Sequence, residues 1–150
     1  MRVRCEERTI GDMTSVDLAQ VPQRLATGAF ILNSGIEKWA GDEQTAAGMH
    51  GMAAGAYPFL KNVEPPTFLK ALATSEIALG AALLTPIVPG AVAGAALAGF
   101  ATGLLGLYLR TPGMHNNLRP TQQGLPIAKD VWMLGIGAGL VLGSRRRRKR

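Results

Sequence analysis

The segment GAVAGAALAGFATGLLGLYL, residues 90–109, decides the fold class of this chain. It contains about 20 residues without a charge, which is the length that a helix needs to cross the hydrocarbon core of a bilayer. The apolar residues of the 150-residue chain are collected in four blocks of similar length, of which this is one, rather than spread at amphipathic spacing. A helical bundle in lipid therefore fits the sequence better than a soluble domain does. We predict an all-α, polytopic membrane protein.

The four apolar blocks each match the hydrocarbon thickness of a membrane. The predicted spans are residues 22–40, 68–88, 90–109 and 126–143. An even number of spans places both termini on one side, and basic residues near the two ends, among them Arg24, favour the cytoplasmic side. We therefore expect a four-helix transmembrane bundle over residues 22–143, with a polar cytoplasmic N-terminus, 1–21, and a basic cytoplasmic tail, 144–150.

The positive charge of the chain is concentrated at its C-terminal end. The net charge is +6, and the last six residues are all basic, whereas the other ten basic residues balance ten acidic ones. A basic run directly after an apolar helix anchors that helix at the cytoplasmic face and attracts anionic lipid headgroups. We expect this anchoring role, and no nucleic-acid partner, for Arg145, Arg146, Arg147, Arg148, Lys149 and Arg150.

Residues suited to metal and thiol chemistry are scarce in this sequence. Cys5 is the only cysteine, so the chain can form no internal disulfide or thiolate pair. His50 and His115 fall in the connections between predicted spans and lack the fixed spacing of a ligand set. The sequence therefore predicts no metal site and no intrinsic cofactor, and it contains no complete catalytic motif.

Seven charged residues lie inside the predicted spans, where an ionised group is costly unless it is paired or hydrated, and four of them form the predicted site. Glu76 shares a helix face with Ala73 and Gly80, so we expect that face to point into the bundle. The predicted site is a cluster of Lys38, Glu76 and Asp130, with Lys129 at its rim. Two roles are compatible with it: a structural ion-pair network, or a site that binds a ligand or handles protons.

Three stretches of the chain, in their order and spacing, resemble the DoxX family of small bacterial four-helix membrane proteins. They are GAFILNSGIEKWAG at 28–41, SEIALGAALLTP at 75–86, and NNLRPTQQGLPIAKDVWMLGIGAGLVL at 116–142. The resemblance matches the family's lysine, acidic residue and Lys-Asp pair to Lys38, Glu76, Lys129 and Asp130. It implies a multi-pass protein of the bacterial inner membrane, and a non-catalytic membrane subunit rather than a self-sufficient enzyme.

Three functions are compatible with these observations. The family likeness favours an accessory or quinone-interacting subunit of an oxidoreductase system, with redox enzyme subunits as partners. The alternatives are a transporter or binding protein for a small lipophilic molecule, whose polar head would meet the charged cluster, and a structural membrane scaffold. Small-residue spacings also predict close helix packing, within the chain first and in a homo-oligomer second, at Gly90/Gly94, Gly99/Gly103, Gly135/Gly139 and Gly139/Gly143.

Overall fold

The computed structural model describes residues 18–128 and 130–148, with side chains through Ser144. Its elements, in chain order, are α1 (Val21–Trp39), α2 (Glu43–Ala56), a 3-10 helix (Pro58–Asn62), α3 (Pro65–Leu84), α4 (Gly90–Arg110), β1 (His115–Asn116), β2 (Arg119–Pro120), α5 (Leu125–Ala128) and α6 (Val131–Arg148). The two strands pair antiparallel and form a small hairpin. Residues 1–17, Lys129 and the predicted anchoring side chains of Arg145 to Arg150 lie outside the described part.

Three segments of the described chain are long and apolar enough to cross a membrane: Pro65–Leu84, Gly90–Arg110 and Leu125–Ser144. The protein is therefore a mostly helical membrane protein. The first predicted span, residues 22–40, is also helical, as α1, but it carries three charged residues, Arg24, Glu37 and Lys38. That α1 also crosses the membrane, which would make four spans, stays a prediction, as does the side on which the termini lie.

Prolines and one aspartate set helix boundaries. Pro65 and Pro66 occupy the first turn of α3, where a missing N–H breaks no hydrogen bond, so this helix begins earlier than predicted. Asp42 precedes α2, and its carboxylate accepts a hydrogen bond from the backbone N–H of Thr45 at 2.8 Å. Because this bond favours the charged carboxylate, it lowers the pKa of Asp42.

The four long helices pack as two tight pairs, α1 with α3 and α4 with α6. Glycines permit the close approach within each pair. A Cβ atom added at Gly80 would lie 2.7 Å from the backbone nitrogen of Leu32, and one added at Gly137 would lie 2.7 Å from the carbonyl oxygen of Gly94. Larger side chains join the two pairs through one apolar core, formed by Ile31, Leu79, Leu83, Ala93, Leu97, Ala101, Met133 and Leu140.

One of the predicted small-residue spacings marks such a contact between helices. Gly94, of the Gly90/Gly94 spacing, meets Gly137 and makes the close contact between α4 and α6. An added Cβ at Gly99, Gly103, Gly135 or Gly139 would meet no atom within 4 Å among the described residues. The prediction of glycine-mediated packing within the chain is therefore right at Gly94 and wrong at Gly99/Gly103 and Gly135/Gly139.

Arg24 closes one end of the bundle. Its Nε donates to the carbonyl oxygen of Leu83 at 2.8 Å, and its Nη2 donates to the carbonyl oxygens of Ala82, Thr85 and Val88 at 3.0, 2.7 and 3.1 Å. These acceptors lie in the last turn of α3 and the turn after it, where carbonyls have no partner within the helix. The guanidinium also complements the negative end of the α3 dipole. Arg24, which we expected near the cytoplasmic end of the bundle, is thus a buried cap of α3.

Candidate functional site

A cavity of about 430 Å³ lies between the two helix pairs, at the end of the bundle that α2 covers. All four long helices and α2 contribute to its wall. Most of the wall is apolar, and its larger residues are Phe30, Phe68, Leu72, Phe100, Leu104 and Met133. Small-molecule sites in proteins commonly combine such a wall with a few polar groups. The cavity is therefore the candidate functional site.

An ion pair between α1 and α3 forms part of the cavity wall. Lys38 Nζ lies 2.9 Å from Glu76 Oε2, and it also donates to Ser34 Oγ at 2.6 Å. Glu76 is only 5% exposed, so its charge would be costly without this partner. The burial of Glu76 is the orientation that the sequence predicted. Lys38, near the end of α1, reaches along its own helix past Ser34 to make the contact.

Asp130 lies immediately before α6 and lines the same cavity. Its backbone carbonyl accepts hydrogen bonds from the N–H groups of Met133 and Leu134, at 3.0 and 3.4 Å. Its carboxylate makes no hydrogen bond or ion pair with another described residue. Three of the four predicted site residues thus meet around one cavity, whereas Lys129 lies outside the described residues. A ligand-binding or proton-handling role for them stays a prediction.

Two aromatic residues of the wall are functional candidates that the sequence analysis did not select. The Tyr57 hydroxyl donates to the carbonyl oxygen of Gly103 at 2.8 Å, and the Arg110 guanidinium lies over the Tyr57 ring. Phe30 meets Trp132 edge to face, with ring centroids 6.0 Å apart, across the seam between α1 and α6. Each contact joins residues far apart in the chain, so no local periodicity could have indicated it.

The two histidines lie at separate places and serve local hydrogen bonds. His50 Nε2 is 2.9 Å from the carbonyl oxygen of Leu60, and His115 Nε2 is 3.1 Å from that of Leu109. Within residues 18–128 and 130–148, no three His, Cys, Asp or Glu side chains are grouped so as to hold a metal ion.

Comparison of the chain with protein-family models, with curated proteins and with solved structures gives no match. The resemblance to the DoxX family therefore rests on the sequence motifs alone and stays a prediction.

Proposed function

We propose that this protein is a membrane-embedded, quinone-interacting accessory subunit of an oxidoreductase system, and that it binds a small lipophilic molecule between its two helix pairs. The observation that carries the proposal is the cavity, whose apolar wall suits a lipophilic ring and tail. The Lys38–Glu76 pair and Asp130 provide one polar wall, which suits the oxygen atoms of a ring head group. The redox partner is proposed from the resemblance to the DoxX family.

In this proposal α1 crosses the membrane together with the other three long helices, and both termini lie on the cytoplasmic side of a bacterial inner membrane. Two observations support a spanning α1. It packs along α3, from Arg24 at one end to Lys38 at the other. Both of these charges also have partners inside the bundle, which lowers the cost of placing them in lipid.

A second candidate function is a binding protein or transporter for a small lipophile that acts without a redox partner. The position of Phe30 favours it: this residue lines the cavity and is 59% exposed, so the cavity wall is continuous with the lipid-facing surface of α1. A molecule dissolved in the bilayer would then reach the cavity from the side, as a lipid-soluble ligand requires.

Native extraction tests both candidates. The protein is extracted in mild detergent, and the polypeptides and quinones that co-purify with it are identified by mass spectrometry. Gly99→Phe adds a ring at the cavity wall, where the backbone has open space, and Gly135→Phe adds the same ring on the exposed side of α6 as the matched control.

We expect a quinone, in its oxidised or reduced form, with the wild type and with Gly135→Phe, and its loss from Gly99→Phe. A stoichiometric redox polypeptide supports the subunit function, whereas a retained lipophile without such a polypeptide transfers support to the second candidate. A wild-type protein free of any lipophile, or one whose lipophile is equally abundant in Gly99→Phe, would refute both.

A further inference from the structure

We infer that the polar wall of the cavity recognises its ligand through a hydrogen bond that the ligand donates. A lipophile with a ring hydroxyl, such as a quinol, then binds in preference to a quinone or an ether of the same shape. This inference rests on the proposed function and adds the chemistry of the head group to it.

Two donors of the polar wall, the Lys38 ammonium and the Tyr57 hydroxyl, are already engaged. The Lys38 ammonium has three hydrogens, and its acceptors are Glu76 Oε2 at 2.9 Å, Ser34 Oγ at 2.6 Å and the Ser34 carbonyl oxygen at 3.5 Å. The Tyr57 hydroxyl donates to the carbonyl oxygen of Gly103. A ligand carbonyl would have to displace one of these protein acceptors before it could receive a hydrogen bond from Lys38 or Tyr57.

The acceptors of the same wall are free with respect to the described residues. Glu76 Oε1 receives no hydrogen bond from them, and neither does the Asp130 carboxylate, although both residues line the cavity. Glu76 is 95% buried, so in the absence of a ligand this oxygen depends on water that enters the cavity. A carboxylate that is ionised, as the Glu76 carboxylate is in its ion pair with Lys38, only accepts hydrogen bonds, and a ligand with a donor is its complement.

The Ser34 hydroxyl hydrogen is a further donor at this wall, and no described residue accepts it. A ligand hydroxyl suits this hydrogen as well, because a hydroxyl accepts and donates at once, whereas a quinone oxygen can only accept. A ligand without a donor would exclude water from the Glu76 and Asp130 oxygens and leave them unpaired. From the usual cost of such an unpaired group we expect it to bind about tenfold more weakly.

The test compares three ligands that share one bicyclic ring: naphthohydroquinone, its dimethyl ether, and naphthoquinone. Each is titrated by calorimetry, under argon, into the full-length protein in lipid nanodiscs, with empty nanodiscs as the reference for partition into lipid. We expect the hydroquinone to bind about tenfold more tightly than the ether or the quinone.

Two variants reverse the chemistry of the wall. Glu76→Gln retains an oxygen for Lys38 and presents an amide N–H to the cavity, so the hydroquinone should lose affinity and the quinone should gain it. Asp130→Asn makes the same change at a less buried position, which protects the test if Glu76→Gln fails to fold. Glu37→Gln is the matched control, since this exposed carboxylate on α1 bonds only to Asn33 among the described residues.

Equal affinity of the three ligands for the wild type would overturn the inference and leave the proposed function standing, and so would tighter binding of the quinone. The inference is also overturned if Asp130→Asn and a folded Glu76→Gln both bind the hydroquinone more tightly than the quinone, by the same ratio as the wild type. If none of the three ligands binds, and no lipophile co-purifies from native membranes, the inference and the proposed function fail together.

Discussion

Replacing Gly80 with alanine should weaken the packing of α1 on α3. The new Cβ would lie 2.7 Å from the backbone nitrogen of Leu32 and 2.8 Å from its Cα and Cβ atoms. Ordinary contact begins about 0.6 Å farther out, and no rotamer change can relieve a clash with backbone atoms, so α1 must move away from α3. Overpacking of this kind costs about 1–3 kcal/mol, more than the roughly 1 kcal/mol gained when a glycine leaves a helix interior.

The free energy of unfolding measures this effect, obtained by denaturant titration in one detergent and followed by far-ultraviolet circular dichroism. Gly135→Ala is the control, because it makes the same substitution in α6 where no described atom lies within 4 Å. We expect the control to equal or exceed the wild type in stability and Gly80→Ala to fall below both. If the two variants are equally stable, the close packing of α1 on α3 does not exclude a larger residue at position 80, and the reasoning is refuted.

Two further predictions concern helix ends. Arg24→Ala removes all four hydrogen bonds at the end of α3 and should lower the free energy of unfolding by about 3 kcal/mol. Arg24→Lys should recover part of this loss, whereas an alanine variant as stable as the wild type would contradict the capping role. The hydrogen bond from the Thr45 N–H makes the pKa of Asp42 lower in the folded protein than in the unfolded chain. The contribution of this cap to the stability of α2 is therefore complete above the unfolded pKa, and it is lost as the pH falls through the folded pKa. The protection of the Thr45 amide against hydrogen exchange, taken relative to the intrinsic rate at each pH, should fall over that acidic range, and Asp42→Asn should abolish this loss of protection.

The sequence could predict which faces of the helices point inward. An apolar helix with a few charged or small residues has to bury them away from lipid, and this argument placed Glu76 correctly. The same argument grouped Lys38 with Glu76, because each charge is costly in lipid without a partner.

The partners of Arg24 could not be predicted, and neither could which of the predicted glycine spacings makes a contact between helices. Arg24 binds backbone carbonyls about sixty residues away, and carbonyls leave no mark in a sequence. Spacing alone gives Gly99 and Gly94 equal weight, although only Gly94 meets another helix closely. The relative rotation of two helices decides between such positions, and that rotation depends on the packing of the whole bundle.

The distribution of the glycine contacts also determines how the bundle can change shape. Gly80 and Gly137 bring backbones together inside each helix pair, whereas side chains such as Leu97 and Met133 fill the boundary between the pairs. Each pair therefore behaves as one stiff half, and the boundary between the halves is the compliant part of the molecule. The turn between α3 and α4, whose Thr85 and Val88 carbonyls bond to Arg24, joins the halves at one end, so they can spread at the opposite end, beneath α2. The cavity can then widen for a bulkier ligand while the Gly80 and Gly137 contacts within the pairs stay intact.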